Sequence, residues 1–440
     1  MKAVFFTFGC KLNQCETEAL ASYYKDQGFL IESFDSNADN DADLYIINTC
    51  TVTSKSEQKA RRIIRNISRK NPQSAVIVTG CYAQLEEKTI SSLAPNVLVI
   101  PQSDKAKLFE LAVAFKQNRG LIRELPGTLT EPHNSQFRFK VDNYQFHSRA
   151  FCKIQDGCNY RCSYCRVPLA RGKSQSLDPE TVINRITELE KAGYREIVLT
   201  GVNICSYEYG DMTLVKLLQS ILAALSTARI RLSSLEPEMV TEELADVFRH
   251  KAFCPHFHLP VQSGSDKILQ LMRRRYMAAD VTRAVDLLRR VKPGAFISGD
   301  IIVGFPGETA ADFQLTKELI VGGMFAGLHI FPFSARPGTA AFSYKNKVPE
   351  RIKKERSLAL QETVAALFRE YVSAFKGKNL EIILEKKINI SNSINWQGLS
   401  ANYLKVEVPD NKSGHFTRGA LMKVKITEPG EICKAEYVSI

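Results

Sequence analysis

The chain has 440 residues, enough for two or three domains that each bury a core of their own. Hydrophobic content of 44% and charged content of 24% belong to globular protein and exclude an extended disordered chain. A net charge of +12 fits a polyanionic partner such as nucleic acid, although a basic solvated surface accounts for it equally well.

The N-terminus "MKAVFFTFGCKLNQ" carries an apolar run too short for a secretory signal. No stretch approaches the roughly 18 apolar residues of a membrane-spanning helix. The expectation is a cytoplasmic protein with no membrane partner, its eleven cysteines being reduced thiols or metal ligands. Over residues 1–120 the runs "AVFFTF", "DLYIINT", "SAVIVTG" and "NVLVI" read as buried strands separated by amphipathic helices. That alternation predicts a doubly wound parallel α/β domain, whose ligands belong at the carboxyl ends of the strands. Cys10, Cys50 and Cys81 follow the first three of these strands, so the three thiols can converge. Filling the core is the usual fate of a free cysteine and is the competing reading.

Residues 121–149, with Pro126, Gly127, Pro132 and Asn134, read as a linker. A second series of strands follows: "FCKIQ", "REIVLTG", "RIRLSS", "HFHLPV", "ISGDIIVG" and "GLHIFPF". Six βα units over 150–372 predict an open, partial (βα)6 barrel with functional groups at its carboxyl ends. From 373 to 440 the chain becomes β-rich, with "LEIILEKK", "NYLKVEVP" and "ALMKVKITE" broken by turn residues, as in a small all-β barrel.

The strongest motif is "DGCNYRCSYCRVP", in which Cys158, Cys162 and Cys165 form a C-x3-C-x2-C loop. Structural zinc takes four ligands, usually as two C-x2-C knuckles, and no histidine lies near enough in sequence to complete a set here. Three thiolates on a cubane iron–sulfur cluster leave one iron free of protein, able to take a substrate or cofactor.

With Tyr164 just before its last cysteine, this loop resembles that of the radical S-adenosylmethionine (SAM) superfamily. The resemblance implies that the open iron chelates SAM. "LTGVNI" (Gly201, Asn203), "RLSSLEP" (Ser234, Glu236), "HLPVQSGS" (Gln262, Ser263) and "DIIVGFPGE" (Gly304 to Glu308) then contact its methionyl, ribose and adenine parts. Taken singly, each of these is more often an ordinary turn.

The N-terminal stretches "TFGCKLNQCETE", "INTCTVTSKSEQKARR" and "VTGCYAQ" resemble the amino-terminal domain of methylthiotransferases, and the likeness runs along nearly the whole chain. It implies a second 4Fe–4S cluster on Cys10, Cys50 and Cys81, and SAM serving both as methyl donor and as radical source. Sulfur insertion at an unactivated C–H needs no acid–base residue, so none is assigned. A reductant such as flavodoxin or ferredoxin and an unidentified sulfur donor are the further partners implied. Of the family's three branches, "GCKLNQCETE" looks most like the one that methylthiolates threonylcarbamoyladenosine at position 37 of tRNA, beside the anticodon. The others act on isopentenyladenosine in tRNA and on an aspartate of a ribosomal protein; they tend to carry Gln-Met-Asn and Pro-Lys-Asn where this chain has Lys11-Leu12-Asn13. Cys15 and Arg166 depart from that branch, which usually has tyrosine and an apolar residue there. Cys152, Cys205, Cys254 and Cys433 read as packing.

Two features point to a tRNA anticodon stem-loop as substrate. Seven Lys/Arg against one Glu fall within 55–70, including Arg61, Arg62 and Arg65. The C-terminal module resembles the TRAM domain, a small RNA-binding barrel, with Trp396, Tyr403 and Arg418 as candidate contacts. Trp396 serves equally well as a core residue. A non-catalytic iron–sulfur RNA-binding sensor is the competing class, and it has no need of the SAM-site motifs.

Overall fold

In the computed structural model, residues 1–35, 41–117, 135–390, 393–410 and 416–439 are described. Five parallel strands form the N-terminal sheet: β1 (Lys2–Thr7), β2 (Leu30–Ser33), β3 (Leu44–Thr49), β4 (Ala75–Gly80) and β5 (Val97–Val99), in the order β2-β1-β3-β4-β5. The central strand β3 is buried at all six positions, as a strand covered on both faces must be. Helices α1 (Lys11–Asp26) and α2 (Ser54–Lys70) follow β1 and β3, and α3 (Cys81–Leu85) follows β4. The hydroxyl of Thr53 starts α2 by accepting from the Ser56 N–H at 3.1 Å, and Ser56 answers it as a capping box. The exposed edge strand β2 escapes the sequence reading because its "LIES" is too short and too polar to stand out.

The central unit contains six parallel strands in chain order. One three-stranded sheet joins β6 (Ala150–Lys153), Glu196–Thr200 and Arg229–Leu232; the other joins His256–Gln262, Phe296–Val303 and Gly327–Pro332. A bridge between Ile230 and Phe253 connects the two sheets. Among the described residues β6 and Gly327–Pro332 do not pair, so the barrel is open on one side. Side chains alternate along each strand. Leu259, Val261, Ile297 and Ile301 pack into the main apolar core, while Glu196, Arg231, His258, Asp300 and His329 take the other, inward face. The lumen is therefore charged.

A closed five-stranded barrel ends the chain, in the order Asn379–Ile390, Ser393–Ser400, Lys405–Pro409, Cys433–Ser439, Leu421–Glu428, and it fits a TRAM-like fold. Its second and last strands were not read from sequence, since "SINWQGLS" and "CKAEYVS" mix polar and apolar residues without clean alternation. Of the stretch read as a linker, 121–134 lies outside the described residues. Its remainder packs inward, with Phe137, Phe139, Val141 and Tyr144 buried in the main core.

Candidate functional site

The three N-terminal cysteines sit at neighbouring carboxyl ends of parallel strands. Cys10 caps α1, Cys50 follows β3, and Cys81 opens α3. Glycine makes the approach possible. Gly9 has φ +90, and a Cβ there would lie 2.7 Å from the Cys50 Cβ and 2.8 Å from its sulfur. Gly80 has φ +97, and its Cβ would fall 2.4 Å from the Thr49 carbonyl. Asn13 braces the same loops, its amide donating to the Phe8 and Thr49 carbonyls at 2.9 and 3.1 Å. Burial and the neighbouring Cys10 push the Cys50 thiol up to about 12. The protein crowded around Cys10 likewise raises its thiol, although the side chain itself remains open to solvent. Thiols in this condition act as thiolates only beside positive charge.

That charge arrives from the other unit. Arg171 lies six residues beyond Cys165, in the short helix Val167–Arg171, and its Nε donates to the Cys81 sulfur at 3.3 Å. The same guanidinium reaches Asn13 Oδ1 at 2.6 Å, Glu16 at 3.0 and 3.1 Å, and both oxygens of Asp156 at 3.0 Å. Glu16 also pairs with Lys105 at 2.6 Å and Lys153 at 2.9 Å, and Lys153 pairs with Asp156. Burial alone would raise the Glu16 carboxyl, but Arg171, Lys105 and Lys153 hold it well below the usual carboxylate range. Three cations thus face two carboxylates in a buried network, leaving one positive charge in excess beside three thiols. A cluster bound by three thiolates is anionic and would balance it.

The second triad occupies the loop after β6, over the mouth of the barrel. Burial and the neighbouring Cys162 push Cys165 up to about 12, and burial raises Cys158 and Cys162. Arg274 donates to the Cys162 sulfur at 3.2 Å and pairs with Glu236, whose carboxyl burial nonetheless raises to about 7. Arg171 and Arg274 were missed in the sequence, because one guanidinium serving a thiol from a distant loop leaves no local pattern. Among the described residues neither triad draws together as a single-ion site; the group that does is His258, Asp300 and His329.

The residues matched to SAM lie at four successive strand ends. Gly201 follows Glu196–Thr200 and packs against Gln155, whose Oε1 accepts from the Asn203 N–H at 2.8 Å. Ser234 and Glu236 follow Arg229–Leu232, Gln262 ends its strand with φ +62, and Gly304 follows Phe296–Val303 with φ +72. Tyr164 packs near Phe305, with ring centres 6.4 Å apart. The buried Asn203 Nδ2 and Arg274 Nε have no protein partner, as expected where a polar ligand belongs.

Cys15, one of the two departures from the branch pattern, is buried in the α1–β6 interface, its thiol donating to the Phe151 carbonyl at 3.5 Å. Arg166 is an interdomain tie, bonded to Glu57, Glu86 and Thr51, and Arg336 joins it on Glu57. Trp396 is 4% exposed in the core of the C-terminal barrel, where large apolar area outweighs its indole N–H. Tyr403 stacks on His256 at 4.1 Å, and Arg418 is spent on Ser148 and the Gln145 carbonyl. Of these three, Trp396 is hidden, Tyr403 is half-buried and Arg418 stays exposed while bonded to its own chain. Arg61, Arg62 and Arg65 instead line a surface groove of about 1840 Å3, joined by Lys59, Arg69 and, from the C-terminal barrel, Lys386. Arg61 is partly engaged, donating to Tyr82 Oη at 2.6 Å.

A cysteine loop at the mouth of an open parallel barrel defines an α/β enzyme of the radical SAM type, and residues 152–320 match the Radical SAM superfamily. Residues 2–101 match a family described as Uncharacterized protein family UPF0004. The chain is 36% identical to threonylcarbamoyladenosine tRNA methylthiotransferase MtaB of Treponema pallidum, over 97% of this chain and 98% of that protein. It is 31% identical to tRNA-2-methylthio-N(6)-dimethylallyladenosine synthase of Endomicrobium trichonymphae, over 88% and 89%. The chain belongs to the radical SAM methylthiotransferases, a family that works with SAM and 4Fe–4S clusters. Among solved structures it resembles the radical SAM methyltransferase TsrM of Kitasatospora setae, solved with cobalamin and a 4Fe–4S cluster, with a TM-score of 0.55 and 18% identity over 78% of this chain and 74% of that one. That likeness concerns the fold alone.

Proposed function

We propose that the chain adds a methylthio group to carbon-2 of N6-threonylcarbamoyladenosine at position 37 of tRNA. The observation that carries this reading is Arg171, which stands on the loop of one cysteine triad and touches a thiol of the other. Chemistry at the two triads is thereby coupled across the domain interface. The substrate follows from the relatives' names, and the isopentenyl alternative is less favoured at 31% identity than the threonylcarbamoyl one at 36%.

In this reading residues 1–120 form the methylthiotransferase domain, 150–372 the radical SAM domain and 373–440 the TRAM barrel. Cys158, Cys162 and Cys165 would hold one 4Fe–4S cluster and Cys10, Cys50 and Cys81 a second. Bound there with SAM, these groups supply hydrogen abstraction, sulfur insertion and methyl transfer. The residues of the chain hold and orient. Arg171 and Arg274 donate to the Cys81 and Cys162 sulfurs and orient them toward the groups they would hold. The free amide of Asn203, with Gly201, Ser234, Glu236, Gln262 and Gly304, forms a polar cradle for SAM, while Tyr164 and Phe305 keep water from its rear. Arg62 and Arg65, with Arg61 in part, receive phosphates of the anticodon stem. The reaction calls for an external electron source of the flavodoxin or ferredoxin kind and for a sulfur donor. A tRNA substrate makes the cytoplasm the place of work.

Nucleoside mass spectrometry on tRNA from a strain lacking the gene tests the reading. Loss of the methylthio-threonylcarbamoyl nucleoside is expected. Its persistence, with loss of the isopentenyl analogue, would transfer the chain to the other branch.

A further inference from the structure

One cation in the barrel lumen has no task so far. Lys11 follows Cys10 as the first residue of α1, and its charged neighbours, Arg149, Glu196 and Arg231, belong to the central unit. Its ammonium is 5.7 Å from the centre of the Tyr403 ring, which stacks on the inward-facing His256 and lies 5.1 Å from the Arg231 guanidinium. Among the described residues no hydrogen bond or ion pair reaches this ammonium. Glu196, the carboxylate whose charge acts on it, is already shared by Arg149, Arg229 and Arg231. On the opposite wall Asp300 is taken by His258 at 3.1 Å, and His329 is exposed to the lumen. Burial and the neighbouring Arg231 and Arg149 guanidinium groups push Lys11 down to about 7, because its charge has no free anion here to offset it, and an anion is what this interior lacks.

Resting on the function proposed above, we infer that Lys11, with His329 across the lumen, receives the carboxylate of the threonylcarbamoyl arm and thereby selects the base. That carboxylate is what separates this substrate from an isopentenyl one, whose arm is apolar throughout. An apolar arm would leave the ammonium unpaired and is rejected for that reason. Lys11 adjoins Cys10 in the chain, so a contact here also fixes the base beside the first triad.

A divalent ion is the competing occupant, because His258, Asp300 and His329 have ligand atoms within 4.8 Å of one another. Both ring nitrogens of His258 are already engaged, Nδ1 with Ser298 and Nε2 with Asp300, each at 3.1 Å. The unneutralised Lys11 nearby further disfavours a second cation.

The test measures binding of the cluster-loaded protein to three anticodon stem-loops: one with threonylcarbamoyladenosine, one with its threonine methyl ester, and one with plain adenosine. The wild type should bind the acid about tenfold more tightly than the ester, as one charge-assisted hydrogen bond requires. Lys11→Met should bind acid and ester alike, and Lys11→Arg should restore much of the difference. Equal binding of acid and ester by the wild type overturns the inference, as does a difference that survives in Lys11→Met. A preference abolished by EDTA would also overturn it, assigning the carboxylate to an ion at the His258 group. Should Lys11→Met fail to fold, the wild-type comparison of acid with ester still decides. If the enzyme methylthiolates threonylcarbamoyladenosine while acid and ester bind alike, this pocket is wrong and the function stands. If it never modifies that nucleoside, the function itself is wrong and the pocket goes with it.

Discussion

Replacing Arg171 by methionine removes the residue that joins the two triads. Deleting one partner of a buried ion pair costs about 3–5 kcal/mol. Here Glu16 keeps Lys105 and Lys153, and Asp156 keeps Lys153, so two cations still face two carboxylates. The loss should therefore fall near the lower end, about 3 kcal/mol, which a protein of ordinary stability survives. The thiolate of Cys81 also loses a charge-assisted hydrogen bond, for which about 1.5 kcal/mol is a conservative figure. Reduction adds negative charge to the cluster, so this bond favours the reduced form. The bond exists in both oxidation states and only its extra strength in the reduced one counts, so at 59 mV per tenfold for one electron its loss lowers the reduction potential of the N-terminal cluster by up to about 60 mV. The assay is an EPR-monitored redox titration in a background where Cys158, Cys162 and Cys165 are alanine, so that only the N-terminal cluster reports. A potential that stays put, or rises, would refute the assignment of Arg171 as a donor to that cluster.

Cys10→Ala should halve the iron of the reconstituted enzyme from about eight atoms per chain to about four, while Cys15→Ala keeps all of it, because Cys15 points into the α1–β6 interface. Iron analysis after anaerobic reconstitution reads the difference, and loss of iron in Cys15→Ala would overturn it. Arg62→Ala and Arg65→Ala should each flatten the salt dependence of tRNA binding by about one unit of slope, as removal of one phosphate contact does. Asp312→Asn should destabilise the protein at neutral pH by about 1–2 kcal/mol. Burial opposes the charge on Asp312, but hydrogen bonds from Lys267, Thr309 and Ser265 outweigh it and hold the carboxyl below its ordinary range. A depressed carboxyl contributes its stability above the unfolded pKa near 4 and loses it as pH falls below that value. Denaturant unfolding of wild type and variant should therefore diverge at pH 7 and draw together toward pH 2; a constant gap would contradict the charge argument.

Much of the arrangement was legible because it is local. Each barrel strand is a short apolar run, and both groups of cysteines lie in loops after such runs, so strand reading and motif reading support each other. What escaped depends on distance in sequence. Arg171 meets Cys81 across 90 residues and Arg336 meets Glu57 across 279, contacts that no spacing rule can reveal. Lys11 stood out only as part of the Lys11-Leu12-Asn13 run, and its surroundings were not legible because they come from the central strands and the C-terminal barrel. The placement of Trp396 was not legible for a related reason. Composition cannot say on which side of a small barrel a tryptophan lies, and burial of its large apolar area drew Trp396 inside.

The central claim is that two cysteine triads joined at one interface carry out methylthiolation of threonylcarbamoyladenosine. Its most direct test is mass spectrometry of an anticodon stem-loop bearing that nucleoside, after incubation with the reconstituted enzyme, SAM, a reductant and a sulfur source. The account predicts a gain of one methylthio group at carbon-2 of the modified adenine, absent when Cys81 or Cys162 is alanine. A product without added sulfur, or modification only of an isopentenyladenosine stem-loop, would contradict it.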